Sequence, residues 1–413
     1  MTYIFTSQLK IGAVSLLAIA ASQLGTAPAS LAQAPPPVAP AAPEAPAPTP
    51  MTTPAMAGPL LANPAPLHAE AGPLGTVYVT GAASGLALFQ NDPITTLGDR
   101  HKQFDISNGQ VSIQNTEGLV QFFAQAGIYS FPTVGVPYTR AATMTGNSFG
   151  ALPVAYLKLA PTDNFSIQAG KLPTLIGAEY MYTFQNMNIQ RGLLWNQENI
   201  VNRGVQANLG AGPLAFSLSW NDGFYSDRYN WLTGAATWTI DSGNSLILAG
   251  GGPLGRNTAT GFATPLAQNN STIIDLSYTY NAAPWTITPY VQYTHVGADA
   301  ALGFGQNAST YGGAILAGYK INDNVSLAGR FEYIASTGSA ANGAPDLLGY
   351  GPGSSAMSFT LTPTFQQGIF FVRGEASVTQ LFDINPAASA IVFGKNATAK
   401  TQARWLLEAG VVF

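Results

Sequence analysis

Side chains alternate between two faces in the segment Trp285-Thr-Ile-Thr-Pro-Tyr-Val-Gln-Tyr-Thr294. Its odd-numbered positions carry Trp, Ile, Pro, Val and Tyr, and its even-numbered positions carry Thr, Thr, Tyr, Gln and Thr. Successive side chains of a β-strand point to opposite faces, so this period of two predicts a strand with one apolar and one polar face. Such a strand fits a two-layer sandwich as well as a barrel, and the alternation alone leaves both open.

Segments of the same kind recur from Val77 to the last residue. We predict about sixteen strands, at residues 77–88, 105–115, 118–129, 150–160, 164–171, 202–210, 213–221, 231–240, 245–252, 271–281, 284–295, 311–320, 324–335, 355–365, 368–380 and 402–413.

The connections between these segments distinguish the two folds. Tight turns, for example at residues 161–163 and 241–244, alternate with long loops rich in Gly, Asn and Ser. Short turns on one rim and long loops on the other are typical of bacterial outer-membrane barrels. We therefore predict an all-β protein, a transmembrane antiparallel β-barrel of about sixteen strands. An even strand number places both chain termini on the periplasmic, short-turn side.

The composition supports a membrane environment. Charged residues make up 9% of the chain and hydrophobic residues 46%, whereas soluble domains carry roughly 25% charge. The longest apolar run, residues 11–21, is shorter than the roughly 20 residues that a transmembrane helix needs, and lipid otherwise admits only closed barrels. The absence of cysteine excludes disulfides and thiolate metal sites. A net charge of −4 gives no basic face for nucleic acid.

The N-terminal region is predicted to direct and connect the barrel. Residues 1–34 have the pattern of a signal peptide, with Lys10, an apolar stretch at 11–21 and a small-x-small cleavage site at 32–34. Residues 35–74 are rich in Pro and Ala and predict a disordered periplasmic linker. A spacer that reaches the cell wall is the alternative. The barrel is assigned to residues 75–413.

The last predicted strand ends in an aromatic residue. In residues 402–413, Trp405, Leu407 and Phe413 share the apolar face, and Arg404 and Glu408 share the other. A terminal aromatic on an alternating strand resembles the signal by which the barrel-assembly machinery recognises its substrates, so Phe413 is the predicted assembly signal.

Five tryptophans lie near predicted strand ends, at positions 220, 231, 238, 285 and 405. Indole rings favour the interface between membrane and water, and this placement predicts an aromatic belt. Ordinary cross-strand aromatic pairs would give the same placement for any one of them.

Four stretches resemble a known family. They are Gln168-Ala-Gly-Lys171, Gly177-Ala-Glu-Tyr180, Asn186-Met-Asn-Ile-Gln-Arg191 and Arg203-Gly-Val-Gln206, and residues 121–129 upstream are similar. This order resembles the OmpL-like β-barrel porin family, in which a strand ending in Gly-Lys leads into a long loop that returns to a Gly-Val strand. The resemblance covers the chain from about residue 75 and implies a porin-type barrel without naming a substrate.

The loop at residues 172–201 is the predicted constriction. A barrel of about sixteen strands is wide enough for an aqueous channel, and this longest loop carries Glu179, Arg191 and Glu198 among aromatic residues, with Arg203 following. Opposed charges on an inward-folded loop would set a transverse field and tune ion preference. An outward cap or a trimer contact is the alternative.

A second set of charges is predicted to face the lumen from the wall. Its members are Arg330, Glu332, Arg373, Glu375, Arg404 and Glu408, and each Arg lies close to a Glu on the inward face. They could form one charged wall of the pore, or they could be neutralised pairs that stabilise a polar lumen.

Together these features predict an outer-membrane porin for passive diffusion of small hydrophilic solutes and ions. The alternatives are a structural or envelope-tethering outer-membrane barrel without an open channel, and a substrate-selective channel. Three scattered histidines, His68, His101 and His295, provide neither a metal cluster nor a catalytic His-x-Ser arrangement, so no catalysis, metal or cofactor is expected. The expected partners are outer-membrane lipid, the assembly machinery and small polar solutes, not nucleic acid, and a homotrimer remains an option.

Overall fold

Sixteen strands form a closed antiparallel barrel in the computed structural model, which describes residues 58–413. The predicted signal peptide and most of the predicted linker therefore lie outside the described residues. A short strand, β1, precedes the barrel strands β2–β17. The bounds are β1 Leu67–Glu70, β2 Thr76–Gln90, β3 Lys102–Asn115, β4 Val120–Tyr129, β5 Val154–Thr162, β6 Phe165–Pro173, β7 Val201–Ala211, β8 Leu214–Asn221, β9 Trp231–Asp241, β10 Asn244–Pro253, β11 Ser271–Ala282, β12 Trp285–Val296, β13 Ala308–Lys320, β14 Val325–Ser336, β15 Ser355–Gln367, β16 Phe370–Phe382 and β17 Thr401–Val412.

Each barrel strand pairs with the next along the chain, and β17 closes the barrel by pairing with β2 from Arg404↔Gln90 to Val412↔Ala82. β1 pairs with the first residues of β2, and this pairing is antiparallel, as is the pairing of β17 with β2. Two short helices lie in long loops, α1 at Ala141–Asn147 and α2 at Leu266–Asn269. No helix within residues 58–413 has the length and hydropathy of a membrane span.

The predicted alternation of connections is confirmed. The seven connections that begin with β3–β4 and end with β15–β16 contain two to four residues, and the eight others contain nine to twenty-seven. All sixteen predicted strands are present, and most of their ends lie within three residues of the predicted bounds. β1 was not predicted, because only four residues form it and its pairing with β2 carries no period of its own.

The outer face of the barrel is apolar. Large side chains there are half exposed, such as Leu218 at 60%, Phe359 at 55% and Leu407 at 52%. A continuous apolar surface of this extent would drive aggregation in water, and lipid contact accounts for it.

Four of the five tryptophans at strand ends also face outward, and Trp231 does not. It is fully buried, with its indole N–H donating to the Asn269 carbonyl at 2.9 Å. The prediction of a belt position for Trp231 is wrong, since its neighbour Leu232 takes the outward position on β9.

Candidate functional site

The loop between β6 and β7 lies inside the barrel. We call residues 174–200 the inserted loop. Every residue from 181 to 195 is buried, and its apolar side chains pack into two clusters with inward-facing residues of the strands, including Phe371 and Leu316. An outward cap would not bury fifteen consecutive residues. The loop therefore folds into the barrel, as the sequence predicts.

The inserted loop has little regular structure, with two 3-10 turns at Thr183–Gln185 and Leu194–Gln197. Most of its N–H and C=O groups therefore lack ladder partners, and a buried backbone group without a partner costs free energy. The charged side chains of the wall supply many of these partners.

Acidic residues of the wall accept hydrogen bonds from the backbone of the inserted loop. Glu375 on β16 accepts from the amides of Ile189 at 2.5 Å and Gln190 at 3.0 Å. Glu332 on β14 accepts from the amide of Leu193 at 2.6 Å. Charge-assisted bonds of this kind are about twice as strong as neutral ones, so both carboxylates hold the loop to the wall.

Arginines of the wall donate to the carbonyl groups of the same loop. Arg373 reaches Thr183 O at 2.9 Å, Asn186 O at 2.9 Å and Met187 O at 2.7 Å. Arg330 reaches Gln190 O at 2.6 Å. A guanidinium presents five N–H donors in a fixed fork, and here one arginine satisfies three carbonyl groups.

Arg404 serves a second loop, residues 130–153. It donates to Thr133 O at 2.6 Å and Val136 O at 2.5 Å. This second loop also pairs with the inserted loop, since the Val134 amide donates to Arg191 O at 3.0 Å. The two loops thus form one layer against the wall.

The charges of the inserted loop are buried within this layer. Glu179 accepts from Arg330 at 2.7 Å and from the Gly192 amide at 2.7 Å. Arg191 lies over the rings of Phe131 and Trp195, 5.7 Å from each centroid. Burial raises the pKa of the Glu179 carboxyl and lowers the pKa of the Arg191 guanidinium to about 10.

The ion pairs of the wall are fully buried. Arg330 pairs with Glu332 at 3.1 Å, and Arg373 lies 3.7 Å from Glu408. Arg404 lies 3.7 Å from Asp99, which is not among the predicted pore residues. The inward charges therefore meet as pairs and also bind the loop backbone.

Arg203 lies apart from the other predicted residues. It shares the outward face of β7 with Val205, near the long-loop rim. Its guanidinium contacts Asp222 at 2.7 Å and Asp227 at 3.3 Å and stacks on Tyr225. This placement differs from the expectation that Arg203 lines the pore. Strand alternation is the reason, because its neighbours Asn202 and Gln206 take the inward positions.

A cavity of about 840 Å³ remains between the inserted loop and strands β10–β15. It reaches the short-turn end of the barrel, where residues 322–324 line it. Gly177, Ala178 and Tyr180 of the inserted loop border its other side. Of the residues described, none of the ten predicted pore charges lines this cavity; their role in the path of solutes stays a prediction.

The chain before the barrel also lines this cavity, at Gly58, Pro59 and Leu61. Leu60 is 1% exposed and belongs to the cluster that contains Phe184 and Phe371. The backbone of Leu61 exchanges two hydrogen bonds with the side chain of Gln366, at 2.8 and 3.0 Å. The sequence assigns this stretch to the disordered linker, and its low complexity gave no signal for the contacts.

The interior has two unlike sides. We call strands β13–β17 together with β2 the packed wall. Inward residues of these strands are buried beneath the loops. We call strands β5–β10 the open wall. Many inward residues of these strands are partly exposed. These are mostly neutral and polar, with one lysine among them: Lys158, Gln168, Asn208, Ser217 and Thr237.

A closed sixteen-stranded barrel with an apolar outer face and a loop folded into its lumen defines a porin-type outer-membrane channel. The chain belongs to the family described as "Putative beta-barrel porin-2, OmpL-like", whose model matches residues 76–413. Phe413 ends this match and pairs with Gly81 through both backbone hydrogen bonds, at 2.7 and 2.9 Å.

Solved outer-membrane proteins share the fold. OmpT of Vibrio cholerae has 11% identity and a TM-score of 0.54, over 84% of this chain and all of that one. OmpF of Salmonella typhi, solved with daunomycin, has 12% identity and a TM-score of 0.51, over 82% and 98%. The channel DcaP of Acinetobacter baumannii has 12% identity and a TM-score of 0.50, over 82% and 97%. No curated protein sequence matches the chain.

Proposed function

We propose that the protein is a porin through which small hydrophilic solutes and ions diffuse passively, and that the inserted loop narrows the passage. The observation that carries this proposal is the position of residues 181–195, which are buried inside a barrel wide enough for water. A cavity of about 840 Å³ persists beside them.

The polar lining of the remaining lumen supports diffusion of water-soluble molecules. Ser277, Thr279, Thr286 and Thr288 line the cavity from β11 and β12. Hydroxyl groups replace water contacts for a passing solute at low cost, and they offer no fixed charge that would hold an ion tightly. A wall of such hydroxyl groups suits a diffusion channel rather than an enzyme.

The opposing candidate is a barrel without an open channel. The packing of several long loops into the outer half favours it, for example the Gln197 side chain donating to Leu347 O at 2.8 Å and Tyr350 donating to Gly135 O at 3.0 Å. Such contacts would also suit a substrate-selective channel. Conductance separates these possibilities.

The first experiment records single channels of the purified protein in a planar lipid bilayer. We expect discrete steps of stable size. Replacement of residues 178–197 by a short Gly-Ser linker should raise the step size. Deletion of residues 258–262, an exposed stretch of another long loop, is the matched control and should leave the step size unchanged. Equal steps with and without the inserted loop would refute its role as the constriction.

A second variant keeps the loop intact. Thr279 lines the cavity, and the adjacent Tyr280 faces lipid. Thr279→Trp should reduce conductance because the indole fills the passage, whereas Tyr280→Trp should not. Folded protein that never opens, with or without these changes, would favour the structural barrel.

We also propose that both termini lie in the periplasm and that Phe413 directs assembly. The support is that β2 begins and β17 ends on the short-turn rim. An epitope tag inserted in the short turn at residues 242–243, on the same rim as both barrel ends, should resist protease in intact cells and become accessible when the outer membrane is opened. Phe413→Ala should lower the amount of assembled barrel.

A further inference from the structure

Two carboxylates lie just beyond the lining of the cavity, next to residues that line it. Ser277 and Thr279 line the cavity from β11, and Asp275 is the next inward residue on that strand. Its register partner on β12 is Gln292. From the opposite side, Gly177 of the inserted loop lines the cavity and lies so close to the Glu198 carboxylate that a Cβ would not fit.

These acidic groups are buried and short of donors. Asp275 is 3% exposed and Glu198 is 4% exposed. Among the described residues, both carboxylate oxygens of Asp275 and Oε2 of Glu198 have no hydrogen-bond partner. The Gly177 amide and Gln292 side chain lie near Asp275 without reaching hydrogen-bond geometry to it.

Two residues of β12 carry neutral side-chain oxygens near these carboxylates. Gln292 Nε2 donates to Glu198 Oε1 at 3.0 Å, which leaves its own Oε1 beside the carboxylate without a partner. Tyr290, two residues earlier on the same face of β12, is 2% exposed and its hydroxyl is also unpartnered. Unlike the two carboxylates, these groups belong to residues that carry no charge, so they are independent evidence for a missing partner.

Nearby positive charge is already committed. Arg330 pairs with Glu179 at 2.7 Å and with Glu332 at 3.1 Å, so one cation serves two anions. Both of those carboxylates also accept backbone N–H groups. Among residues 58–413, Glu198 accepts one hydrogen bond, from Gln292, and Asp275 accepts none. Burial of unpaired carboxylates is costly by several kcal/mol, and a bound cation would remove that cost.

We propose that Glu198, Asp275 and the Gln292 amide oxygen bind a hard divalent cation of the Ca²⁺ type just beyond the lining of the cavity. Carboxylate and amide oxygens are the ligands that such cations prefer, and two carboxylates balance the charge. Within residues 58–413 no group of three His, Cys, Asp or Glu is placed to hold a metal, so water completes the coordination. A cation bound at this site changes the permeation of ions through the barrel. Only this statement, and not the binding itself, rests on the proposed function.

The first test measures binding by the full chain assembled in lipid vesicles. Tb³⁺ replaces Ca²⁺ and emits when an adjacent tyrosine is excited, and Tyr290 is placed for this. We expect saturable emission that Ca²⁺ displaces. Asp275→Asn combined with Glu198→Gln should weaken Ca²⁺ binding about tenfold or more. Asp163→Asn combined with Glu117→Gln, the same two charge changes in short turns, should leave it unchanged.

The outcomes separate the site from the channel. Wild-type protein with no saturable Tb³⁺ emission, or a double variant that binds as well as wild type, would overturn the site. Bilayer recordings with and without CaCl₂ then address permeation, where we expect Ca²⁺ to change the wild-type reversal potential in a KCl gradient and not that of the double variant. Binding without any conductance would refute the diffusion channel and leave the cation site standing.

Discussion

The packed wall and the open wall belong to one sheet, yet they differ in the kind of polarity that faces inward. The packed wall presents arginine and glutamate, such as Arg330, Glu332 and Arg373, each fully buried beneath the loops. The open wall presents mainly neutral side chains, such as Asn208 and Ser217, which are partly exposed.

This difference follows from what each wall must satisfy. Water meets the hydrogen-bonding needs of the open wall, and short neutral side chains suffice there. Beneath the inserted loop water is excluded, and irregular backbone must find partners in the protein. Charged side chains with several donors or acceptors provide them, as Arg373 and Glu375 do. On the packed wall, inward charge therefore marks where the loops are anchored.

The largest expected effect comes from removing one anchor of the packed wall. Arg373→Ala leaves three loop carbonyl groups without their donor and Glu408 without its cation. Loss of one partner of a buried ion pair costs about 3–5 kcal/mol. Unfolding by urea in lipid vesicles, followed by tryptophan fluorescence, should show a loss of this size.

A matched change on the open wall provides the control. Thr237 is inward and partly exposed, and Thr237→Ala should cost less than about 1 kcal/mol. Equal losses for Arg373→Ala and Thr237→Ala would show that the two walls do not differ in the way their environments suggest.

A second prediction concerns Leu60, which joins the chain before the barrel to the packed wall. Leu60 is 1% exposed beside Phe371, whereas Leu61 is 63% exposed. Truncation of a buried leucine costs about 2–5 kcal/mol, and we expect the lower end here because residues 58–66 lie outside the sheet and can close part of the space that is left. Leu60→Ala should therefore lower stability by about 2 kcal/mol and make residues 58–66 sensitive to protease. Leu61→Ala should change neither, and protection that persists in Leu60→Ala would show that the leucine does not hold the segment.

Strand periodicity and loop length predicted most of the fold, because both are local properties of the chain. The inward course of the inserted loop was also predicted, from its length and its aromatic content. Pairing of the wall charges was one of their two predicted roles, but their bonds to the loop backbone were not predictable, because Glu375 meets residues 189–190 only after the loop has folded back across the barrel. Arg203 and Trp231 show the same limit at strand ends, where a shift of one residue exchanges the two faces.

A third prediction sharpens the comparison through ion preference. Lys158 faces inward on the open wall and is partly exposed. If solutes pass this wall, Lys158→Glu should move the reversal potential in a KCl gradient toward greater cation preference, by a few millivolts because water screens the charge. Lys395→Glu makes the same charge change on an exposed loop residue and should have no effect. If only Lys395→Glu shifted the reversal potential, solutes would not pass along the open wall.

The smallest effect is expected at Arg203, which tests the assignment of faces directly. Its guanidinium is partly exposed on the outer face, 25% by side chain, and pairs with Asp222 and Asp227. Partly exposed pairs contribute up to about 1 kcal/mol. The Asp222 carboxylate is buried, but it keeps the amides of Arg203 and Asp227 as donors, at 2.7 and 3.1 Å, so Arg203→Ala should lower stability by only about 1 kcal/mol. Conductance and reversal potential should stay at the wild-type values, because no inward group loses a partner. A changed reversal potential would mean that Arg203 borders the solute path. The assignment of Arg203 to the outer face of β7 would then be wrong.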